Sequence, residues 1–281
     1  MTFDDFIPFL TELVYPMLMA ASVGMARALG VIVITPVFNR LGLTGLIRSA
    51  VAVTIALPMI PFIFTTLPAL EALSTFGLAA LLVKELLIGM VIGVVFGIPF
   101  WAAEVAGELV DLQRASTMGQ LLDPMASTES GVTSTLLVVT LVALFFVSGG
   151  FMVMLEGFYA SYDLWPVERF VPVLETRAAL LMLDLLDQVM RVGVLMVAPL
   201  VVAILIADLM LAYLARMAPS LHVFSLSLPI KNLLFTFMML LYIVYLIPLL
   251  VEELGSLGEG YRRLEMLLGG TFELPGAREG A

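Results

Sequence analysis

Glu104, Glu108 and Asp111 recur at i, i+4 and i+7, so a helix through them presents three carboxylates along one face. Paired carboxylates are the raw material of general acid–base catalysis. That chemistry also needs a nucleophile, a metal ligand or a histidine nearby, and none accompanies this stripe. The stripe is read as a solvated face, or as one that meets basic partner subunits or an aqueous cavity. Arg114 stands three residues after Asp111 and can pair with it.

Four more charged residues fall inside or beside long apolar runs: Lys84, Glu85, Asp208 and Lys231. A charge at the centre of a membrane helix costs about 2.5–3.5 kcal/mol, and each Leu, Ile, Val or Phe returns about 0.3–0.6 kcal/mol. The apolar residues around Lys84-Glu85 supply roughly 6 kcal/mol on that scale, most of which the two charges cancel. Such a helix is marginal alone and belongs among protein partners. The plainer reading puts Lys84 and Glu85 near a helix end, snorkelling or paired. A short connection separates Asp208 from Lys231, so the two can meet, as a structural ion pair or as a proton relay. Gly89, Gly93 and Gly97 repeat every four residues in the third apolar run and leave one helix face bare for close packing.

Other chemistry is excluded by inventory. With no cysteine and one histidine, His222, the chain offers neither a thiolate metal site nor a two-histidine motif. Lys84 and Lys231 are the only lysines, and neither follows the glycine spacing of a phosphate-binding P-loop. No catalytic, cofactor-binding or metal-ligating residue is assigned. His222 is read as capping or hydrogen-bonding within its loop, with pH sensing as the sharper alternative.

The elements that must position these residues are apolar helices. Of the 281 residues 62% are hydrophobic and 13% charged, where a soluble domain has about half and a quarter. That leaves too little polar material to cover a soluble surface, and disorder needs the opposite composition. The membrane remains as solvent. A net charge of −10 argues against a nucleic-acid partner. Six runs reach membrane-helix length: Tyr15–Phe38, Ile47–Leu67, Leu78–Ala103, Val132–Leu155, Val189–Leu214 and Leu228–Val251. The fold class is therefore an all-α integral membrane protein, since an open sheet cannot sit in lipid. One helical domain is expected over 1–255 and a polar tail over 256–281. The acidic start, Met1-Thr2-Phe3-Asp4-Asp5, does not read as a signal peptide. Lys and Arg are nearly balanced between the two sides, and the larger cluster in the tail favours cytoplasmic termini. Pro58, Pro61, Pro99, Pro199 and Pro248 predict kinked or broken helices.

Two connections are long, Glu104–Gly131 and Glu156–Arg177, with Leu180–Gln188 as an amphipathic lead-in to the fifth run. Within the first, Gln113 to Pro124 mixes small, polar and apolar residues around Met118, Leu121 and Leu122. Flexible Met and Leu suit a surface that deforms, although an ordinary surface loop has the same look.

The order of these motifs matches a known family. The carrying residues are Asp111-Leu112-Gln113-Arg114 with Asp123-Pro124, Gly149-Gly150, Ser161-Tyr162, Trp165-Pro166-Val167, and Ala198-Pro199 with Asp208. Arg216 to Phe224 then leads to Pro229-Ile230-Lys231. Together they resemble the T subunit of the type III secretion export gate, the family of flagellar FliR and injectisome SpaR and YscT. The resemblance runs from about Tyr15 to Glu253, and its Gly149–Pro166 stretch is more similar to the injectisome branch. Ala115 replaces a usual glycine, and Ser220 and His222 stand where Gln and Asn are frequent.

The resemblance implies an export gate in the bacterial inner membrane, built with R and S subunits and accompanied by the U switch subunit. One T copy completes a closed helical ring through which unfolded substrate proteins pass. Several helices of such a gate need not span the lipid bilayer. It further implies that Gln113, Arg114, Met118, Leu121 and Leu122 belong to a deformable pore seal. The acidic stripe, Lys84, Glu85, Asp208 and Lys231 would then set polar contacts within and between subunits. Two other readings are open to the residues: a secondary transporter coupling a small solute through Lys84, Glu85 and Asp208, and an intramembrane enzyme, for which no polar cluster speaks.

Overall fold

The computed structural model describes residues 14–66, 74–114, 131–169, 178–218, 223–258 and 262. Among them every regular element is helical: α1 Tyr15–Ile34, α2 Pro36–Arg40, α3 Gly45–Ala56, a 3₁₀ turn Leu57–Met59, α4 Ile60–Thr66, α5 Thr75–Gln113, α6 Val132–Val147, α7 Gly150–Leu164, α8 Ala178–Met217 and α9 Val223–Gly255. Five stretches are long and apolar enough to cross a membrane, and the broken pair α6–α7 makes a sixth if counted as one span. The chain divides into two compact units, 1–97 with 150–182 and 256–281, and 98–149 with 183–255.

In the first unit α1 has Pro16 in its first turn, where no backbone N–H is needed. It stops at Thr35, which is extended because Pro36 disfavours a helical residue before it. Apolar Ala20, Val23, Ala28, Val31 and Ile32 of α1 are buried. The crossing of α1 with α5 is made by bare backbone. A Cβ on Gly30 would lie 2.3 Å from the Leu86 carbonyl oxygen, and one on Gly89 2.0 Å from that of Arg27. One turn on, a Cβ on Gly93 would meet Val31 O and Ile34 Cβ at 3.0 Å. Small residues thus bring the helices close enough for a side chain on one to reach the other.

The second unit uses the same device. A Cβ on Gly107 of α5 would stand 2.1 Å from Ser134 Cα of α6, and one on Gly193 of α8 2.9 Å from Ala102 O. Phe100 and Phe145 pack edge to face at 5.5 Å between α5 and α6. Tyr242 of α9 donates to Met196 O of α8 at 3.0 Å.

The helices differ from the sequence reading at several points. The run Val132–Leu155 is two helices, because Ser148 closes α6 onto Leu144 O and Gly149 takes φ +83°, a conformation that glycine adopts freely. α7 then continues to Leu164, nine residues into the connection expected from Glu156. Glu156 and Asp163 lie on its exposed face while Met154, Phe158, Ser161 and Tyr162 are buried. The lead-in Leu180–Gln188 runs without a break into the fifth run, as part of the 40-residue α8. Of the expected proline breaks, Pro58 falls in the 3₁₀ turn and Pro61 in the first turn of α4, whereas α5, α8 and α9 continue through Pro99, Pro199 and Pro248.

Candidate functional site

The α1–α5 crossing places Arg27 against Glu85. Both side chains are fully buried and Lys84 is nearly so. Arg27 Nε donates to Glu85 Oε2 at 2.6 Å, Nη1 to Ser161 Oγ at 3.0 Å and Nη2 to the Trp165 carbonyl at 2.9 Å. Its guanidinium lies 3.8 Å from the centroid of the Tyr162 ring, a cation–π contact strengthened by the absence of water. Lys84 Nζ is 2.8 Å from Glu85 Oε1. It also donates to the carbonyls of Val167 at 2.8 Å, Arg169 at 3.2 Å and Pro166 at 3.4 Å. Two cations face one carboxylate, and the surplus positive charge rests on four carbonyls of the segment that follows α7. A buried charge is tolerable when it is paired and its remaining protons are used. Here both cations are paired with Glu85, three Arg27 N–H groups and the Lys84 ammonium are hydrogen-bonded, and the cluster holds Trp165 to Arg169 against α1 and α5.

A second cluster lies in the other unit, where α5 ends and α6 begins. The Gly107 crossing sets Asp111, one turn later, beneath the first turn of α6. Asp111 Oδ2 accepts from the backbone N–H groups of Thr133 at 2.8 Å and Ser134 at 3.3 Å, and Oδ1 accepts from Thr133 Oγ1 at 2.7 Å. Arg114 Nη2 donates to Oδ1 at 2.5 Å. Glu108 Oε1 accepts from Gly131 N at 2.8 Å. The N-cap residue of α6 is Gly131, which has no side chain to cap with. Carboxylates from α5 do that work, and negative charge is favourable at a helix N-terminus.

The same cluster extends to α8 and α9. Lys231 Nζ lies 2.6 Å from Asp208 Oδ1 and donates to the Gln113 carbonyl at 3.2 Å. A cation on the last carbonyls of α5 complements its dipole. One turn along α9, the Phe235 ring receives the Arg114 guanidinium at 4.2 Å.

Asp111–Arg114, Asp208–Lys231 and Lys84–Glu85 are thus brought together, and the first two pairs converge on the end of α5. Lys84–Glu85 belongs to one cluster and Asp208 to the other. Gly89 and Gly93 sit at the α1 crossing, and Gly97 is buried. Glu104 is half-buried. Met118, Leu121 and Leu122, and also His222, lie outside the described residues. Sequence reasoning missed Arg27, although it is the only charged residue in the run Tyr15–Phe38, which is itself the signal. It also missed Thr133 and Ser134, whose place at the start of an apolar run was the available hint.

Membrane-length helices whose interior charges are used on one another and on backbone groups define a multi-pass membrane protein. The chain belongs to the bacterial export proteins, family 1, whose family model matches residues 18–257. It is a component of a bacterial protein export apparatus in the inner membrane, and it assembles with other export components. It is 33% identical over 234 residues to the Yop proteins translocation protein T of Yersinia pestis, covering 83% of this chain and 89% of that one. It is 25% identical over 236 residues to the surface presentation of antigens protein SpaR of Salmonella typhimurium, covering 84% and 87%. Flagellar biosynthetic protein FliR of Bacillus subtilis is 28% identical over 189 residues, covering 66% and 72%. Both injectisome relatives are covered over more of their length than FliR, and the 33% identity to the Yop translocation protein exceeds the 28% to FliR, which favours the injectisome branch.

Proposed function

We propose that this chain is the T subunit of a type III export gate of the injectisome branch. One copy completes a helical ring with R and S subunits, beside the U switch subunit, and unfolded substrate proteins pass through the ring. The observation that carries this reading is the family match across nearly the whole chain together with the identity to the Yop translocation protein T. The exposed apolar faces of α8 and α9, such as Leu209, Met210, Leu233, Leu240 and Val244, support it as surfaces available to neighbouring subunits and lipid. Segment 113–124, with Gln113, Arg114, Met118, Leu121 and Leu122, acts as a deformable seal of the pore.

The test is co-expression with the R and S subunits from the same organism, followed by native mass spectrometry of the detergent-solubilised complex. One copy of this chain with several copies of each partner is expected. A monomer or homo-oligomer that ignores both partners refutes the assignment. Changing Met118, Leu121 and Leu122 together to glycine is expected to raise ion leakage through the assembled complex, and unchanged conductance removes the seal.

A further inference from the structure

The first charge cluster builds a groove beside itself. Arg27 and Lys84 hold the carbonyls of Trp165, Pro166, Val167 and Arg169, and Trp165 becomes one wall of an open groove of about 300 Å³. Its floor is one face of α5 from Ala80 to Val91, with Val83 and Leu87 between them at helical spacing. Val83 and Leu87 are each 55% exposed. The rise from Ala80 to Val91 is about 16 Å, the reach of a hydrocarbon chain rather than of one side chain. Lys84 is the one charged residue lining the groove among the described residues. The 18 residues from Leu86 to Ala103 carry no charge, and as helix they rise about 27 Å, close to the thickness of the bilayer hydrocarbon. The two tryptophans flank that stretch. Trp101 stands near its end, and Trp165 lines the groove with Lys84, just before its start. Tryptophan favours the boundary between membrane and water. The groove therefore begins at that boundary, near Lys84, and runs towards the hydrocarbon past Leu87 and Val91. At the boundary the buried charges do not balance, because Arg27 and Lys84 face one carboxylate, Glu85. That positive surplus is out of reach of water, whereas the exposed Asp163, Glu168 and Arg169 are screened.

We propose that this groove is a binding site for an anionic phospholipid of the surrounding membrane. One acyl chain lies along α5 past Leu87 and Val91, and the phosphate headgroup sits at the Lys84 end, over the surplus positive charge. An apolar side chain from a neighbouring protein would cover the floor but leave that charge unanswered. The site stands on the first cluster alone and does not depend on the export-gate reading.

The experiment uses the full-length chain in mild detergent with Trp101→Phe, which leaves Trp165 as the only tryptophan. Phosphatidylglycerol and phosphatidylcholine carrying the same brominated acyl chains are titrated in as quenchers of its fluorescence. Phosphatidylglycerol is expected to reach half-quenching at about one fifth of the phosphatidylcholine concentration, the effect of one net positive charge beside an anionic headgroup. Val83→Phe in the same background fills the groove from its exposed side and is expected to weaken quenching by phosphatidylglycerol severalfold. Equal quenching by the two lipids overturns the proposal, and so does quenching that Val83→Phe leaves unchanged. A Trp165 that neither lipid reaches, because a co-purifying membrane protein covers it, overturns it as well. Should Trp101→Phe fail to fold, native mass spectrometry of the unaltered chain supplied with equal amounts of both lipids decides. Preferential retention of phosphatidylglycerol is then expected, and equal retention overturns the site.

Discussion

Replacing Gly89 by alanine tests the crossing on which the first charge cluster depends. The new Cβ would stand 2.0 Å from the Arg27 carbonyl oxygen, 2.9 Å from its carbon and 3.0 Å from Gly30 Cα. All three are backbone atoms, so no side chain can swing aside. Bringing the shortest contact to an ordinary separation requires α1 and α5 to part by about 1.4 Å, in an interior packed to crystal density. If they part, the bond from Arg27 to Glu85, now 2.6 Å, stretches to roughly 4 Å and leaves hydrogen-bond range. Losing a hydrogen bond between charged groups costs about 1.5–3 kcal/mol. Holding the helices in place costs about 1–3 kcal/mol in overpacking. The protein takes the smaller penalty or shares the two, so the expected loss is about 2 kcal/mol. By the scaling for chains of this size, Tm falls by about 4–8 °C. The assay is thermal unfolding of the detergent-solubilised protein. Gly255→Ala is the control, since a Cβ there meets nothing within 4 Å and the change should stay within about 0.5 kcal/mol. A Gly89→Ala protein that melts with the unaltered one refutes the close crossing and the argument for how Arg27 reaches Glu85.

Glu85→Ala strands the fully buried Arg27 and is expected to cost about 3–5 kcal/mol, read as a drop in Tm or in membrane-inserted protein. Arg27→Lys should recover little of the loss seen in Arg27→Ala, because a single ammonium cannot reach Glu85, Ser161 and Trp165 O together; full recovery would point to simple charge pairing. Asp208→Asn is expected to cost less than about 1 kcal/mol, because the Asp208 side chain is 42% exposed and water screens its pairing with Lys231. Gly131→Ala should speed amide exchange at Thr133 and Ser134, since its Cβ displaces the Asp111 carboxylate that accepts from both; exchange at the native rate would contradict the tight fit.

The all-helical membrane architecture was readable because lipid accepts few backbone arrangements, and runs of apolar residues of the right length announce the helices. The pairs Asp111–Arg114 and Lys84–Glu85 were visible because they are near in sequence. What lay hidden depends on tertiary placement. α7 did not register as a continuation because its exposed face carries Glu156 and Asp163, which ended the hydropathy run while the buried face went on. Nothing local says that Asp111 reaches residues 22 and 23 positions later, or that Lys84 serves carbonyls more than 80 residues away. Those contacts exist because glycines at 89 and 107 bring backbones close, and the glycine repeat shows a close approach without showing to what.

The two clusters answer one physical problem. A backbone that leaves helical geometry at membrane depth exposes carbonyl and N–H groups that lipid cannot satisfy. Here charged side chains from neighbouring helices serve such groups: Arg27 and Lys84 on the carbonyls of Trp165, Pro166, Val167 and Arg169, Asp111 and Glu108 on the N–H groups of Gly131, Thr133 and Ser134, and Lys231 on the carbonyl of Gln113. The worth of each charge therefore follows from how many backbone groups it serves and how well water can replace it. Lys84→Met deprives three carbonyls, including that of buried Val167, and leaves the fully buried Glu85 with Arg27 as its remaining cation. Lys231→Met deprives one carbonyl and leaves Asp208, which water reaches. Unsatisfied buried groups cost about 1–3 kcal/mol each, so Lys84→Met should destabilise the protein by roughly 2 kcal/mol more than Lys231→Met. Thermal melts of the two variants in the same detergent measure the difference. Equal losses, or the reverse order, would show that these charges act as ion pairs alone and that the broken backbone finds its partners elsewhere.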